Sequence, residues 1–280
     1  MVSDVDQLRL RLAGTSEWRA DVGIVLGSGL GGIADALLER HSGSVSFDAL
    51  PGLAAPGVAG HSGVFSAGAT AGLNVVIQTG RVHLYEGHSP AVVTAHVQLM
   101  ISLGIRVLIL TNAAGGVRDG FQPGDFMLIE DCLSLPLLNS PEERQAYPDS
   151  TSRLQLTAAH LWNPHLIRLV ERQSHIVPVH RGTYAMMPGP TYETAAEVLM
   201  LRGFAVDAVG MSTIPEARCA AGQGVSVLGI SCITNVAAGL QEQSLSHEEV
   251  TRAGSAAQAK LARIVRTLLV ELSQHLEDGS

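Results

Sequence analysis

Charge is scarce in this chain of 280 residues, at 16%, and what there is leans acidic, with a formal net charge of -8. A surface without a basic excess argues against a nucleic-acid partner; a local basic pocket inside it would take only a small anion. Cysteine is sparse too. Cys132, Cys219 and Cys232 show neither CxxC spacing nor an even-numbered framework, so they read as buried free thiols in a reducing compartment, and no structural disulfide is expected. No apolar run reaches the roughly 18 residues of a membrane span. Met1 to Arg11 mixes charges with Val and Leu and lacks the apolar core of a signal peptide. The expected setting is the cytoplasm. No repeat, low-complexity tract or linker interrupts the chain, so residues 1–280 are read as a single domain.

What is present is a core and many turns. Apolar residues make up 46% of the chain and there are 30 glycines, the signature of buried elements joined by tight loops. The stretch Arg81-Val82-His83-Leu84-Tyr85-Glu86-Gly87-His88 follows an apolar run at 73–77 that reads as a buried strand. If it is extended, Arg81 and His83 face one way and Val82 and Leu84 the other, which makes either an anion clamp or a solvated edge.

Other segments have the same form. Residues 5–12 read as an amphipathic helix, and 22–26 as a strand leading into Gly27-Ser28-Gly29-Leu30-Gly31-Gly32 and a helix over 33–39. Backbone amides of such a loop, with a helix N-terminus behind them, suit an anion. The same glycines fit GxGxxG with Asp48 about 20 residues on, which keeps a dinucleotide-binding oxidoreductase open as a rival. Against it, Leu50-Pro51-Gly52 would end the second strand early. A Pro/Gly/Ala-rich loop at 51–63 carries His61. Residues 91–102 read as a helix and 107–110 as a strand ending in a second glycine loop, Thr111-Asn112-Ala113-Ala114-Gly115-Gly116. In a sheet with parallel strands such loops gather at one edge, where Ser28, Arg81, His83 and Asn112 would meet.

Further strands are expected at 126–129, 182–187, 206–211 and 225–230, with a helix at 161–172 and a long irregular segment at 131–153. Three capping boxes stand out, Thr194 with Glu197, Thr213 with Glu216 and Ser246 with Glu249. The first leaves Glu193 one residue outside a helix, either a solvated cap or a group aimed by the preceding Pro188-Gly189-Pro190 turn. The second puts Ser212 where a strand meets a helix. The third opens a C-terminal helix with His247 in its first turn.

In order and spacing, Gly27-Ser28-Gly29, Gly60-His61, the 81–88 stretch, Thr111 to Gly116, Gly189-Pro190-Thr191-Tyr192-Glu193-Thr194, Val209-Gly210-Met211-Ser212-Thr213 and Thr234-Asn235 closely resemble the trimeric purine nucleoside phosphorylases. The resemblance implies an α/β fold with a mixed, partly closed central sheet flanked by helices, a homotrimer, and reversible phosphorolysis of inosine, guanosine and their 2'-deoxy forms to purine base and (deoxy)ribose 1-phosphate. Neither metal nor organic cofactor is implied; inorganic phosphate is a co-substrate. Carried over, Ser28, His61, Arg81, His83, Ala113 and Ser212 belong to phosphate. Tyr85, Met211 and His247 belong to the sugar, and Gly115, Tyr192, Glu193 and Asn235 to the base. Asn235, Glu193 and His83 are the residues expected to carry the catalysis. A methylthioadenosine phosphorylase, the nearest alternative, would carry an aspartate at 235. Two departures from the family stand out: Val236 replaces a lysine found in some relatives, and 139–153 matches poorly, which leaves Tyr147 as the guess for an aromatic crossing into a neighbouring subunit's site.

Overall fold

The structure is a computed structural model, and it describes residues 4–58, 61–135, 161–237 and 247–277. In chain order its elements are α1 (Asp4–Ala13), β1 (Val22–Leu26), α2 (Ala34–Leu37), β2 (Arg40–Ser46), β3 (Val64–Thr70), β4 (Leu73–Thr79), α3 (Pro90–Ser102), β5 (Val107–Gly116), β6 (Phe126–Ser134), α4 (Pro164–Glu171), β7 (Val179–Met186), α5 (Ala195–Gly203), β8 (Ala208–Gly210), α6 (Ile214–Ala221), β9 (Ser226–Val236) and α7 (His247–Glu277).

The apolar, β-branched run of β1 places it at the sheet's centre, parallel to β4 on one side and β5 on the other. Ile24 is in register with Ile77 and Ile109, and all three are fully buried. Each such side chain contributes about 1.5–3 kcal/mol on leaving water. The described strands form one mixed sheet in the order β2-β3-β4-β1-β5-β8-β7-β6-β9, and β9 also pairs with β5. That extra pairing closes β5, β8, β7, β6 and β9 into a ring, while β2, β3, β4 and β1 remain an open flank. The mixed, partly closed sheet is therefore present. Along α7, Ala257, Leu261, Val265, Leu268 and Leu272 are buried at helical spacing, and this stripe packs the helix on β9 and α4.

Several local expectations change. The helix read over 33–39 is one 3-10 turn, Gly31–Ile33, followed by the short α2, and the chain turns at once into β2. Thr111 to Gly116 is not a loop but the second half of β5, and Ile233-Thr234-Asn235 lies within β9. Pairing between these two strands holds small and polar residues extended that would otherwise turn. β8 keeps only three residues of the expected 206–211. The dinucleotide reading is overturned by topology: β2, the strand after the glycine loop, is antiparallel to β3 and separated from β1 by β3 and β4. No β-α-β unit stands over Gly27 to Gly32, and Asp48 lies in a 3-10 turn, Phe47–Ala49.

Candidate active site

The sheet opens where β5 changes partners. β1 pairs with β5 as far as Leu110, and β8 joins β5 only at Gly115. Between them, Thr111 to Ala114 present an edge of β5 to no neighbouring strand on that side, and the ends of β1, β4, β8 and β9 surround the gap. A cavity of about 300 Å³ fills it. Ser28, Arg81, His83, Tyr85, Ala113, Gly115, Tyr192, Glu193, Met211, Ser212, Asn235 and His247 all line this one cavity. His61 does not line it; it stands behind Ser28. Tyr147 and Ser246 lie outside the described residues. The sequence reading missed Val58 and Val250 in the wall, apolar residues with no chemical signal to mark them.

At one end, the groups suit an anion. Gly27 brings β1 close to β5, since a Cβ there would stand 2.9 Å from Thr111 O. Thr111 O accepts from Arg81 Nη1 at 2.8 Å, so it faces the open edge; Ala113, two residues on, presents its N–H to the same edge. Arg81 is only 2% exposed. Its Nε donates to Glu216 Oε1 at 3.1 Å, and Nη1 also lies 3.4 Å from Ser212 Oγ. Among the described residues Nη2 has no partner. Arg81 thus arrives largely committed, with Nη2 the one guanidinium nitrogen whose hydrogens are unspent among the described residues.

The two histidines are neutral, not cationic. Arg81 N–H donates to His61 Nδ1 at 2.8 Å, so the ring proton sits on Nε2 and is donated to Ser28 Oγ at 2.7 Å. Ser28 keeps its own hydrogen to donate into the cavity. Burial first, then the neighbouring His83 and Arg81, lowers His61 to about 3. The approach of His61 requires Gly80, whose φ is +87° and where a Cβ would stand 2.8 Å from His61 Cβ. His83 Nδ1 lies 2.9 Å from Glu86 Oε1, which also accepts the His83 main-chain N–H at 2.7 Å. Burial lowers His83 to about 4, outweighing the Glu86 contact that raises it. Burial also pushes the Glu86 carboxyl up, but hydrogen bonds from Gly57 and His83 hold it below its usual range. With Nδ1–H on Glu86, His83 turns the lone pair of Nε2 away from that carboxylate. Its ring stacks on Tyr85 at 4.6 Å.

The opposite end is an amide and a carboxyl. After a register shift Asn235 lies opposite Gly115, where a Cβ would stand 3.2 Å from Asn235 Nδ2. Asn235 Nδ2 donates to Val236 O at 2.8 Å, and Oδ1 accepts from Thr234 Oγ1 at 2.8 Å. A carbonyl only accepts, so Val236 fixes which end of the amide is nitrogen. One N–H and one lone pair remain. Glu193 precedes α5, whose Thr194–Glu197 capping box is formed as expected. Burial, then Glu197, raises the Glu193 carboxyl above its usual range. Gly189 lets the turn close on Met211 and Tyr85, since a Cβ there would stand 2.5 Å from Met211 Sδ and 3.0 Å from Tyr85 Cδ1. Among the described residues no cluster of three or more His, Cys, Asp and Glu side chains is placed to hold a metal.

Known proteins share this architecture. A profile of the Phosphorylase superfamily matches residues 21–270. Purine nucleoside phosphorylase 1 of Bacillus subtilis is 38% identical over 258 residues, covering 89% of this chain and 92% of that protein. The purine nucleoside phosphorylase of Rattus norvegicus is 36% identical, covering 91% and 92%. Among solved structures, Schistosoma mansoni purine nucleoside phosphorylase in complex with inosine superposes with a TM-score of 0.82 at 29% identity, covering 96% of this chain and 95% of that one. A schistosomal enzyme in complex with hypoxanthine gives the same score at 30% identity. With the cavity at the switch between β1 and β8 and this likeness over nearly its whole length, the chain belongs to the Phosphorylase superfamily, among the purine nucleoside phosphorylases.

Proposed function

We propose that the chain catalyses reversible phosphorolysis of 6-oxopurine nucleosides, inosine and guanosine with their 2'-deoxy forms, to free base and (deoxy)ribose 1-phosphate. One observation carries this reading: a single cavity has anion donors at one end and an oriented amide and carboxyl at the other. Phosphate takes Ser28 O–H, Arg81 Nη2, the Ala113 N–H and Ser212 Oγ, with His61 holding Ser28. A phosphate O–H donates to neutral His83 Nε2, and the arriving negative charge favours transfer of that proton to the ring. Tyr85, Met211 and His247 hold the sugar between the two ends.

A phosphate oxygen attacks the anomeric carbon as the bond from that carbon to the purine nitrogen breaks. The sugar passes through an oxocarbenium-like state, and the bonding pair leaves with the purine. Asn235 donates its remaining N–H to the leaving base, where charge develops, and Glu193 accepts from the base's other edge while Tyr192 and Gly115 flank it. A contact stronger in the transition state than in the ground state raises turnover. Inorganic phosphate is the co-substrate, and no metal or organic cofactor is invoked.

Residues 1–280 act in this reading as one unit of a cytoplasmic homotrimer. Supporting a subunit contact near the base, α5 and its C-cap, which follow Glu193 closely, expose Leu199 and Phe204 at 61% and 62%. Apolar faces of this kind mark interfaces. For location, the support is that all three cysteines are free thiols and that no helix among the described residues is long and apolar enough to cross a membrane. Purine release from inosine, guanosine and adenosine, each with and without phosphate, tests the activity. The expected result is release from the 6-oxo substrates only with phosphate; equal release in its absence contradicts it.

A further inference from the structure

We propose that Glu216 is a positioning residue for the phosphate end of the site, an inference that rests on the phosphate roles proposed for Arg81 and Ser212. Glu216 was legible in the sequence only as the third residue of a capping box, a local device at the start of α6. In the structure it joins two elements. It is 1% exposed; Oε2 accepts the main-chain N–H of Thr213 at 3.1 Å, and Oε1 accepts Arg81 Nε at 3.1 Å.

Both ends of that bridge need holding. Thr213 has φ +79° and ψ -48°, and Ile214 N–H donates to Ser212 O at 2.9 Å across it. This is a γ-turn in its strained form, centred on a β-branched residue that disfavours positive φ. The turn is what directs Ser212 into the cavity. Tyr184 Oη braces the Ser212 backbone, lying 3.3 Å from its O and 3.4 Å from its N, and Asn112 Nδ2 donates to Thr213 Oγ1 at 3.0 Å. Glu216 ties the turn's backbone to a charge, at the Thr213 N–H. At the other end, Nε bound to Glu216 and Nη1 bound to Thr111 O fix the plane of the guanidinium and leave Nη2 for an anion.

The chemistry requires a carboxylate. Two donors, the Thr213 and Arg81 N–H groups, converge on two oxygens. A glutamine would satisfy one and turn its NH₂ against the other. A buried arginine with its counter-ion removed, or held by a loose partner, no longer presents one fixed nitrogen. Glu216 touches neither phosphate nor nucleoside in this arrangement, so its effect should fall on phosphate alone.

The test is steady-state kinetics of Glu216→Gln and Glu216→Asp, in both substrates, against the wild-type chain. Glu216→Gln should raise the phosphate KM at least about tenfold and leave the nucleoside KM within about twofold, as expected for a lost charged contact. Glu216→Asp keeps two acceptors but is one methylene shorter, and should give an intermediate phosphate KM; it carries the test if the glutamine variant does not fold. In an Arg81→Ala background, adding Glu216→Gln should change the phosphate KM less than about twofold, because the residue it acts through is gone. Unchanged phosphate KM in the variants, equal rises in both KM values, or full additivity with Arg81→Ala would overturn the role while leaving phosphorolysis intact. A wild-type chain that releases purine equally well without phosphate would overturn the phosphate reading itself, and this inference with it.

Discussion

At Asn235 the amide is held by Thr234 and Val236, and only one N–H is left for a base. An aspartate there would set a carboxylate oxygen against Val236 O and remove the donor. Asn235→Asp should therefore lower kcat/KM for inosine by roughly a hundredfold or more, the effect of losing a donor to developing charge, with a fall in the inosine-to-adenosine ratio. Parallel assays of the two nucleosides check this, and an unchanged ratio would mean that Asn235 only organises its strand end. Arg81→Lys should be nearly as damaging to the phosphate KM as Arg81→Ala. A lysine is a point charge and cannot meet Glu216, Thr111 O and an anion in one plane. Residue types at the site were legible because motif order alone brings Ser28, Arg81, Ser212 and Asn235 into view. Protonation and the free atom were not. Which nitrogen of Arg81 keeps unspent hydrogens depends on Glu216, 135 residues away, and the neutrality of His61 follows from its burial, with an N–H donated by Arg81 setting the tautomer.

Among the elements, the 51–58 loop is the one whose anchoring is least visible in sequence. His96 on α3 donates from Nε2 to Ala54 O at 3.1 Å and packs against Phe47, with ring centroids 4.4 Å apart. The loop then gives Gly57 N–H to Glu86 and Val58 to the cavity wall. Burial lowers His96 to about 4, and its Nδ1 has no partner among the described residues to receive a proton's bond. The folded pKa thus lies below the unfolded value of 6.5, so the unfolded chain binds the proton first. The stability that His96 contributes is complete above pH 6.5 and is lost as pH falls towards 4, by about 3 kcal/mol. Thermal unfolding of the wild type and His96→Gln across that range should show a flatter acid slope in the variant and a lower Tm at neutral pH; parallel curves would contradict the linkage. The capping boxes of α5 and α6 were readable because they are local, three residues apart. The ends of β5 and β9 were not, because small residues stay extended there only through pairing between strands more than a hundred residues apart.

For the whole molecule, apolar runs and glycine junctions announced an α/β sheet, and its closure through the β5–β9 pairing came from the resemblance rather than from periodicity. Nothing local in 40–46 or 64–70 marks β2 and β3 as strands; they are held by pairing with each other and with β4. If the exposed face of α5 is a subunit contact, Phe204→Glu should shift the mass seen by light scattering from trimer to monomer, whereas Val270→Glu on α7, also exposed at 46%, should not. Wild-type protein that is monomeric and fully active would contradict the trimer. The central claim is that an anion held by Ser28, Arg81, Ala113 and Ser212 is itself the nucleophile. Its most direct measurement is phosphorolysis of inosine with ¹⁸O-labelled phosphate, followed by ³¹P NMR of the sugar phosphate. The account predicts ¹⁸O in the bridge between phosphorus and the anomeric carbon of every product molecule; unlabelled bridging oxygen, or free ribose formed with phosphate acting only as a bystander, would contradict it.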